Sequence, residues 1–139
     1  MPSVAALQER VRGWFRREPK AVAPRQVLVA EADEKQRRAL VRMVQRMGYS
    51  ALEASGSAET LKLLDDQFPE WLLLGFDVDG DGGLEALDQV RSFAPELPVI
   101  MIARDYHDVR TVEALRRGAV AYLARPFGPD DLREVFGRR

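Results

Sequence analysis

The apolar positions of this chain switch repeatedly between two periods. The first, Val4, Leu7, Val11, Trp14 and Phe15, recur at three- and four-residue steps, with Arg10, Arg12, Arg16 and Arg17 on the other side. That spacing predicts an amphipathic helix over 1–19. Pro2 suits its first turn and Pro19 ends it. Residues 20–25 then read as a linker. From Val27 onward, short apolar runs alternate with helical spacing. Val27–Ala30 is the first strand. Asp33 caps a helix carrying Leu40, Val44 and Met47, which Gly48 stops. Ser50–Ala54 is the second strand, and Ser57 opens a helix with Leu61 and Leu64 on one face.

The third strand, Trp71–Phe76, is apolar throughout, as a central parallel strand buried on both faces would be. After the turn DVDGDGG comes a helix with Leu84, Leu87 and Val90. Pro98 opens the fourth strand, VIMIA. Val109, Val112 and Leu115 mark a helix ending at Gly118. Val120–Ala124 is the fifth strand, and Pro129 starts a last helix with Leu132, Val135 and Phe136. Five strands alternating with five helices predict βαβ units, a parallel sheet and helices on both faces. Sites in such sheets form at the C-terminal ends of the strands. Attention therefore falls on Glu31–Asp33, Gly75–Asp81, Ala103–Asp105 and Arg125–Pro126.

Composition narrows the chemistry. The 139 residues suit one domain with a small appendage. Cysteine is absent and His107 is the only histidine, which excludes disulfides, thiolate metal sites and cysteine nucleophiles. No apolar run approaches the about 20 residues of a membrane span, and the N-terminus lacks a signal-peptide core, so the expected location is cytoplasmic. The net charge of -1 hides a split. Residues 1–25 hold six basic and two acidic residues, net +4; residues 26–139 hold 15 and 20, net -5. An acidic domain argues against nucleic acid as a partner.

The segments VLVAEADEKQRRAL, PEWLLLGFDVDGDGGLEAL, LPVIMIA and RRGAVAYLARPF resemble, over Gln26–Gly137, the receiver domain of bacterial two-component response regulators. The resemblance implies a flavodoxin-like (CheY-like) α/β fold: a five-stranded parallel sheet in the order 2-1-3-4-5, here with an extra N-terminal amphipathic helix. It also implies a phosphorylation switch. In that family an aspartate ending the third strand accepts a phosphoryl group, and two acidic residues after the first strand hold Mg²⁺. A hydroxyl ending the fourth strand and a lysine after the fifth contact the phosphoryl group. The carboxylate is the nucleophile; metal and lysine neutralise the transferring oxygens.

Nearly every one of these positions is altered. The phosphoacceptor position is Gly75, the acidic pair is Glu31-Ala32, the hydroxyl position is Ala103 and the lysine position is Arg125. Asp77 lies two residues, about 6.5 Å of extended chain, beyond Gly75, so it does not replace the missing carboxylate. The expectation is a pseudo-receiver, without enzymatic activity or cofactor, in which Arg125 and Glu31 meet across the altered pocket. The alternative is that Arg125 points to solvent, more than about 4 Å from any carboxylate. Tyr122 matches the family's switch aromatic; without a hydroxyl at residue 103 it is expected to be a static part of an interaction surface, the other reading being an amphipathic edge residue.

The turn from Asp77 to Asp88 also resembles a calcium-binding loop, with Asp77, Asp79, Asp81 and Asp88 as oxygen ligands. Its context is poor, because a strand precedes it and no second loop pairs with it; the other reading is a solvated acidic turn. For the helix over 1–19, three contacts stay open: its own domain, a protein partner or second copy through Val4, Leu7, Val11, Trp14 and Phe15, and, least favoured, an anionic membrane. The expectation is a stand-alone protein-interaction module in bacterial signalling, unless the sequence is an excised domain of a longer protein. The competing readings are a divergent receiver still switched by phosphorylation and a metal-responsive binder.

Overall fold

The structure, a computed structural model, describes residues 25–138. The helix and linker expected over 1–24 lie outside the described residues, as does the interaction role of Val4, Leu7, Val11, Trp14 and Phe15. The elements run β1 (Gln26–Ala30), α1 (Glu34–Arg46), β2 (Ser50–Ala54), α2 (Ser57–Asp66), β3 (Trp71–Gly75), α3 (Gly83–Phe93), β4 (Val99–Ala103), α4 (Thr111–Arg116), β5 (Ala121–Ala124) and α5 (Pro129–Gly137). All strand pairs are parallel and the order is β2-β1-β3-β4-β5. The expected fold class is therefore observed.

Alternation along the strands divides the core in two. Leu28, Leu72, Leu74 and Met101 face one side, where Leu64, Leu87, Val90 and Ala114 of α2, α3 and α4 cover them. Val27, Val29, Leu73, Ile100 and Ile102 face the other, under Leu40, Val44, Leu132 and Val135 of α1 and α5. Phe136 of α5 stacks on Trp71 with ring centroids 4.6 Å apart. Strands β3 and β4 are buried along their whole length, as an apolar run covered on both faces must be.

Local signals behave as their chemistry dictates. The Asp33 carboxylate accepts from the N–H of Gln36 at 2.8 Å and caps α1. Gly48, at φ 97°, takes the left-handed conformation that ends that helix. Strand β1 starts one residue earlier than the sequence reading, at Gln26, and three further boundaries differ in ways that bear on the site. Strand β3 stops at Gly75, because the chain turns at Phe76, whose carbonyl accepts from the N–H of Gly83 at 3.0 Å. Strand β5 starts at Ala121, leaving Val120 outside it. Helix α4 starts at Thr111, so Val109 lies before it, and Val112 and Leu115 do not form a core stripe: the buried residues of α4 are Thr111 and Ala114.

Candidate functional site

Residues that terminate the central strands converge at the C-terminal edge of the sheet. Glu31 follows β1, Gly75 ends β3, Ala103 ends β4 and Arg125 follows β5. Glu31 is tied down first by its backbone. Its N–H donates to the carbonyl of Ala54 at 3.0 Å, and its carbonyl accepts from Nη1 of Arg37 at 3.0 Å. Its side chain is then turned inward and is only 5% exposed.

The Glu31 carboxylate is satisfied on both oxygens. Oε1 accepts from Nη2 of Arg125 at 2.7 Å, and Oε2 accepts from the N–H of Asp33 at 3.0 Å. The sequence-based pairing of Arg125 with Glu31 is thus present, but as one hydrogen bond rather than a two-pronged one, since the helix entry takes the second oxygen. Arg125 is fixed in turn by its own N–H, which donates to the Ala103 carbonyl at 3.1 Å. Among the described residues no buried side-chain polar atom lacks a hydrogen-bond partner.

The space over Gly75 is bounded by Glu31, which would have to give by a few tenths of an ångström to admit a side chain at residue 75. A Cβ there would stand 3.2 Å from Oε1 and 3.5 Å from Cδ of Glu31. The backbone of Gly75 is not left-handed, so room rather than conformation sets the demand. The Glu31 carboxylate covers the spot from which a side chain at residue 75 would project. Ala103 is fully buried and brings no hydroxyl, and Ala32 is exposed. Glu31, Gly75, Ala103 and Arg125 therefore form one place, an ion pair with apolar or glycine neighbours, while Ala32 lies exposed beside it.

The acidic turn is dispersed among other partners. Asp77 accepts from Nη2 of Arg104 and from Nη2 of Arg110, each at 3.2 Å. Asp81 accepts from Nη1 of Arg110 at 2.6 Å. Asp79, at φ 55°, accepts from the N–H of Ser57 at 3.2 Å and from its hydroxyl, and so caps α2. Asp88, on α3, accepts from Nη1 of Arg117 at 3.0 Å. Among the described residues no group of three or more such side chains is arranged to hold a metal ion.

Arg110 was not singled out by the sequence. It donates from Nε and Nη2 to the two oxygens of Asp108, at 2.8 and 2.7 Å, besides its bonds to Asp77 and Asp81. These hydrogen bonds, that to Asp108 foremost, hold the guanidinium pKa above its ordinary value. Hydrogen bonding from Arg110 likewise holds the Asp108 carboxyl below the ordinary carboxylate value. The available signal was a surplus of aspartates in one turn, which calls for a cation from elsewhere; nothing local pointed to residue 110.

Tyr122 sits at the outer edge of the sheet, opposite Met101, and is 41% exposed. With Tyr106, Val109, Val112, Leu115 and Val120 it makes up the exposed large hydrophobic residues of the described chain, all of which fall in the segment from the β4–α4 loop to β5. Exposure there reaches 89% at Val109. Among the described residues no helix is long and apolar enough to cross a membrane.

Comparison with known proteins gives a consistent set of likenesses. The sequence profile of the response regulator receiver domain matches residues 27–136. The chain is 35% identical over 86 residues to the alginate biosynthesis transcriptional regulatory protein AlgB of Pseudomonas aeruginosa, covering 62% of this chain and 19% of that protein. It is 31% identical over 113 residues to the regulatory protein AtoC of Escherichia coli, covering 81% of this chain and 24% of that one. The chain thus spans under a quarter of the length of either relative. Among solved structures, the receiver domain of NtrX from Brucella abortus superposes with a TM-score of 0.74 at 29% identity, over 81% of this chain and 95% of that one.

Proposed function

Since the chain belongs to the response regulator receiver domain family, we propose that it is a receiver whose phosphorylation switch has given way to a fixed ion pair, and that it acts as a cytoplasmic protein–protein interaction module in bacterial signal transduction. The observation that carries this reading is the placement of Glu31. Its carboxylate lies within 3.2 Å of where a Gly75 Cβ would be and is paired with Arg125 at 2.7 Å.

Phosphoryl transfer to a receiver needs a carboxylate nucleophile and nearby cations that are free to meet the incoming oxygens. Gly75 supplies no nucleophile. The side chain at the lysine position is committed to Glu31. Each Glu31 oxygen already accepts a hydrogen bond, from Arg125 and from the Asp33 N–H, and a cation bound there would have to sit beside the Arg125 guanidinium. Asp77 is held by Arg104 and Arg110 in the turn beyond β3. The same commitments speak against a calcium-responsive loop.

What remains on offer to partners is surface. Tyr106, Val109, Val112, Leu115, Val120 and Tyr122 present a connected stretch of sequence with apolar side chains outward, the kind of patch that marks an interaction site. The expected partner is a protein, with a second copy of the chain as one form of it. No role toward nucleic acid is assigned.

The test is ¹⁵N NMR with beryllofluoride and Mg²⁺, followed by intact mass after incubation with acetyl phosphate and Mg²⁺. The expected result is no resonance shift around Gly75 and no phosphoryl adduct. An adduct on Asp77 or Asp79, or shifts clustered at the strand ends, overturns the reading in favour of an active switch. Calorimetric heat with Ca²⁺ but not Mg²⁺ would favour the acidic turn instead.

A further inference from the structure

We propose that Arg110 is a positioning residue that pins the β4–α4 loop to the β3–α3 turn and thereby holds the apolar α4–β5 face in one displayed arrangement; the claim that this holds without phosphorylation rests on the reading above. The case begins with how little else anchors α4. The helix has six residues and buries only Thr111 and Ala114. Neither side chain is large, and Val112 and Leu115 of the same helix face solvent. Burial of apolar area, the main force that seats a helix on a sheet, is small here.

The polar contacts supply the difference. The guanidinium forks onto Asp108 with Nε and Nη2, at 2.8 and 2.7 Å. Nη1 reaches across to Asp81 at 2.6 Å and to the Phe76 carbonyl at 3.3 Å. Nη2 also donates to Asp77 at 3.2 Å. The planar group lies over the Phe76 ring, 4.7 Å from its centroid. Two chain segments about 30 residues apart in sequence are thus joined through one side chain, which is only 22% exposed. Charge-assisted, forked and partly desolvated bonds are the strong class of hydrogen bond.

The loop itself is fixed on the same group. Oδ1 of Asp108 accepts from the backbone N–H of Arg110 at 3.0 Å, and the Asp108 carbonyl accepts from the Thr111 hydroxyl at 3.3 Å. Arg110 stands immediately before the first residue of α4. Its position therefore sets where the helix begins and which way Val109, Val112 and Leu115 point. Removing the cation leaves Asp77, Asp81 and Asp108 with Arg104, bonded to Asp77, as their remaining cationic partner among the described residues, so repulsion adds to the loss of the bonds.

Hydrogen exchange read by mass spectrometry tests this on the full chain. In Arg110→Ala, peptides covering 104–118 should exchange about tenfold faster or more, while β1 and β3 keep their wild-type protection. Arg110→Lys, which keeps the charge but not the fork, should fall between. Unchanged exchange at 104–118, or acceleration spread equally over the sheet, overturns the pin. If Arg110→Ala does not fold, Asp108→Asn makes the same comparison with the cation retained. The phosphorylation assay on the wild-type chain separates the two ideas: an adduct there sinks the fixed-switch reading, whereas the exchange pattern alone decides the pin.

Discussion

In α1, Leu40, Val41 and Val44 turn inward and join Val27, Val29 and Leu73 of the sheet in one core. In α4, Thr111 and Ala114 turn inward while Val112 and Leu115 turn out. Both helices carry apolar residues at helical spacing, and both lie on the same parallel sheet. They differ in what seats them. Helix α1 is held by buried apolar area and a capping aspartate. Helix α4 is held by small contacts, by the arginine clamp at its start and by the exposed Arg117–Asp88 pair at its end. An apolar stripe says that a helix has a face to cover; it does not say that its own chain supplies the cover.

The comparison is broken most directly at α1. Leu40, 4% exposed, should cost about 2–5 kcal/mol of unfolding free energy when replaced by alanine. Urea denaturation measures it. A loss below about 1 kcal/mol would mean that α1 is seated no more firmly than α4, and the contrast would go.

The site at the strand ends comes next. Arg125→Ala leaves the Glu31 carboxylate buried without its counter-charge, with an expected loss of about 1–3 kcal/mol, less than for a fully enclosed pair because Arg125 is 21% exposed. Glu31→Gln combined with Arg125→Met should lose less than Arg125→Ala alone, since no unpaired charge remains. Strict additivity in the corresponding double-mutant cycle would show that the two side chains are not coupled.

A pH dependence sharpens the contrast from the α4 side. The Asp108 carboxyl titrates below its ordinary value because Arg110 hydrogen-bonds to it. The unfolded chain therefore takes up that proton first as pH falls. The stabilisation is complete above the ordinary carboxylate value of about 4 and is lost as pH drops through the lower folded value. Exchange protection of 104–118 should fall in that acid window more steeply than protection of β1. In Asp108→Asn the two segments should respond alike; a wild-type chain that already behaves so refutes the link.

Much of this was legible before the structure. Strands β3 and β4 are short apolar runs that follow Pro69 and Pro98, and their length and flanking breakers favour a doubly covered strand over a buried helix. The Glu31–Arg125 pair was legible too, because the parallel topology brings a carboxylate after β1 and a guanidinium after β5 to the same edge of the sheet, where the long arginine reaches across the ends of β3 and β4. The orientation of α4 was not. Val109, Val112 and Leu115 have core-like spacing, and only the small residues between them, Thr111 and Ala114, fit against the sheet. The clamp was hidden for another reason: Arg110 meets Asp77 and Asp81 across a gap in sequence that no local pattern bridges.

The smallest expected effect on stability is the most telling for function. Leu115, 43% exposed, and Val112, 58% exposed, already spend much of their apolar area in water. Leu115→Ala and Val112→Ser should therefore stay within about 0.5 kcal/mol of wild type, against the several expected for Leu40→Ala. If they cost as much as a core substitution, the face is part of the fold and not a surface for a partner. If stability holds, sedimentation velocity of wild type and Val112→Asp then asks what covers the patch. A wild-type dimer that becomes a monomer in Val112→Asp identifies a second copy. A wild-type monomer excludes a second copy as the occupant, and the patch is then tested against other partners by the same Val112→Asp substitution.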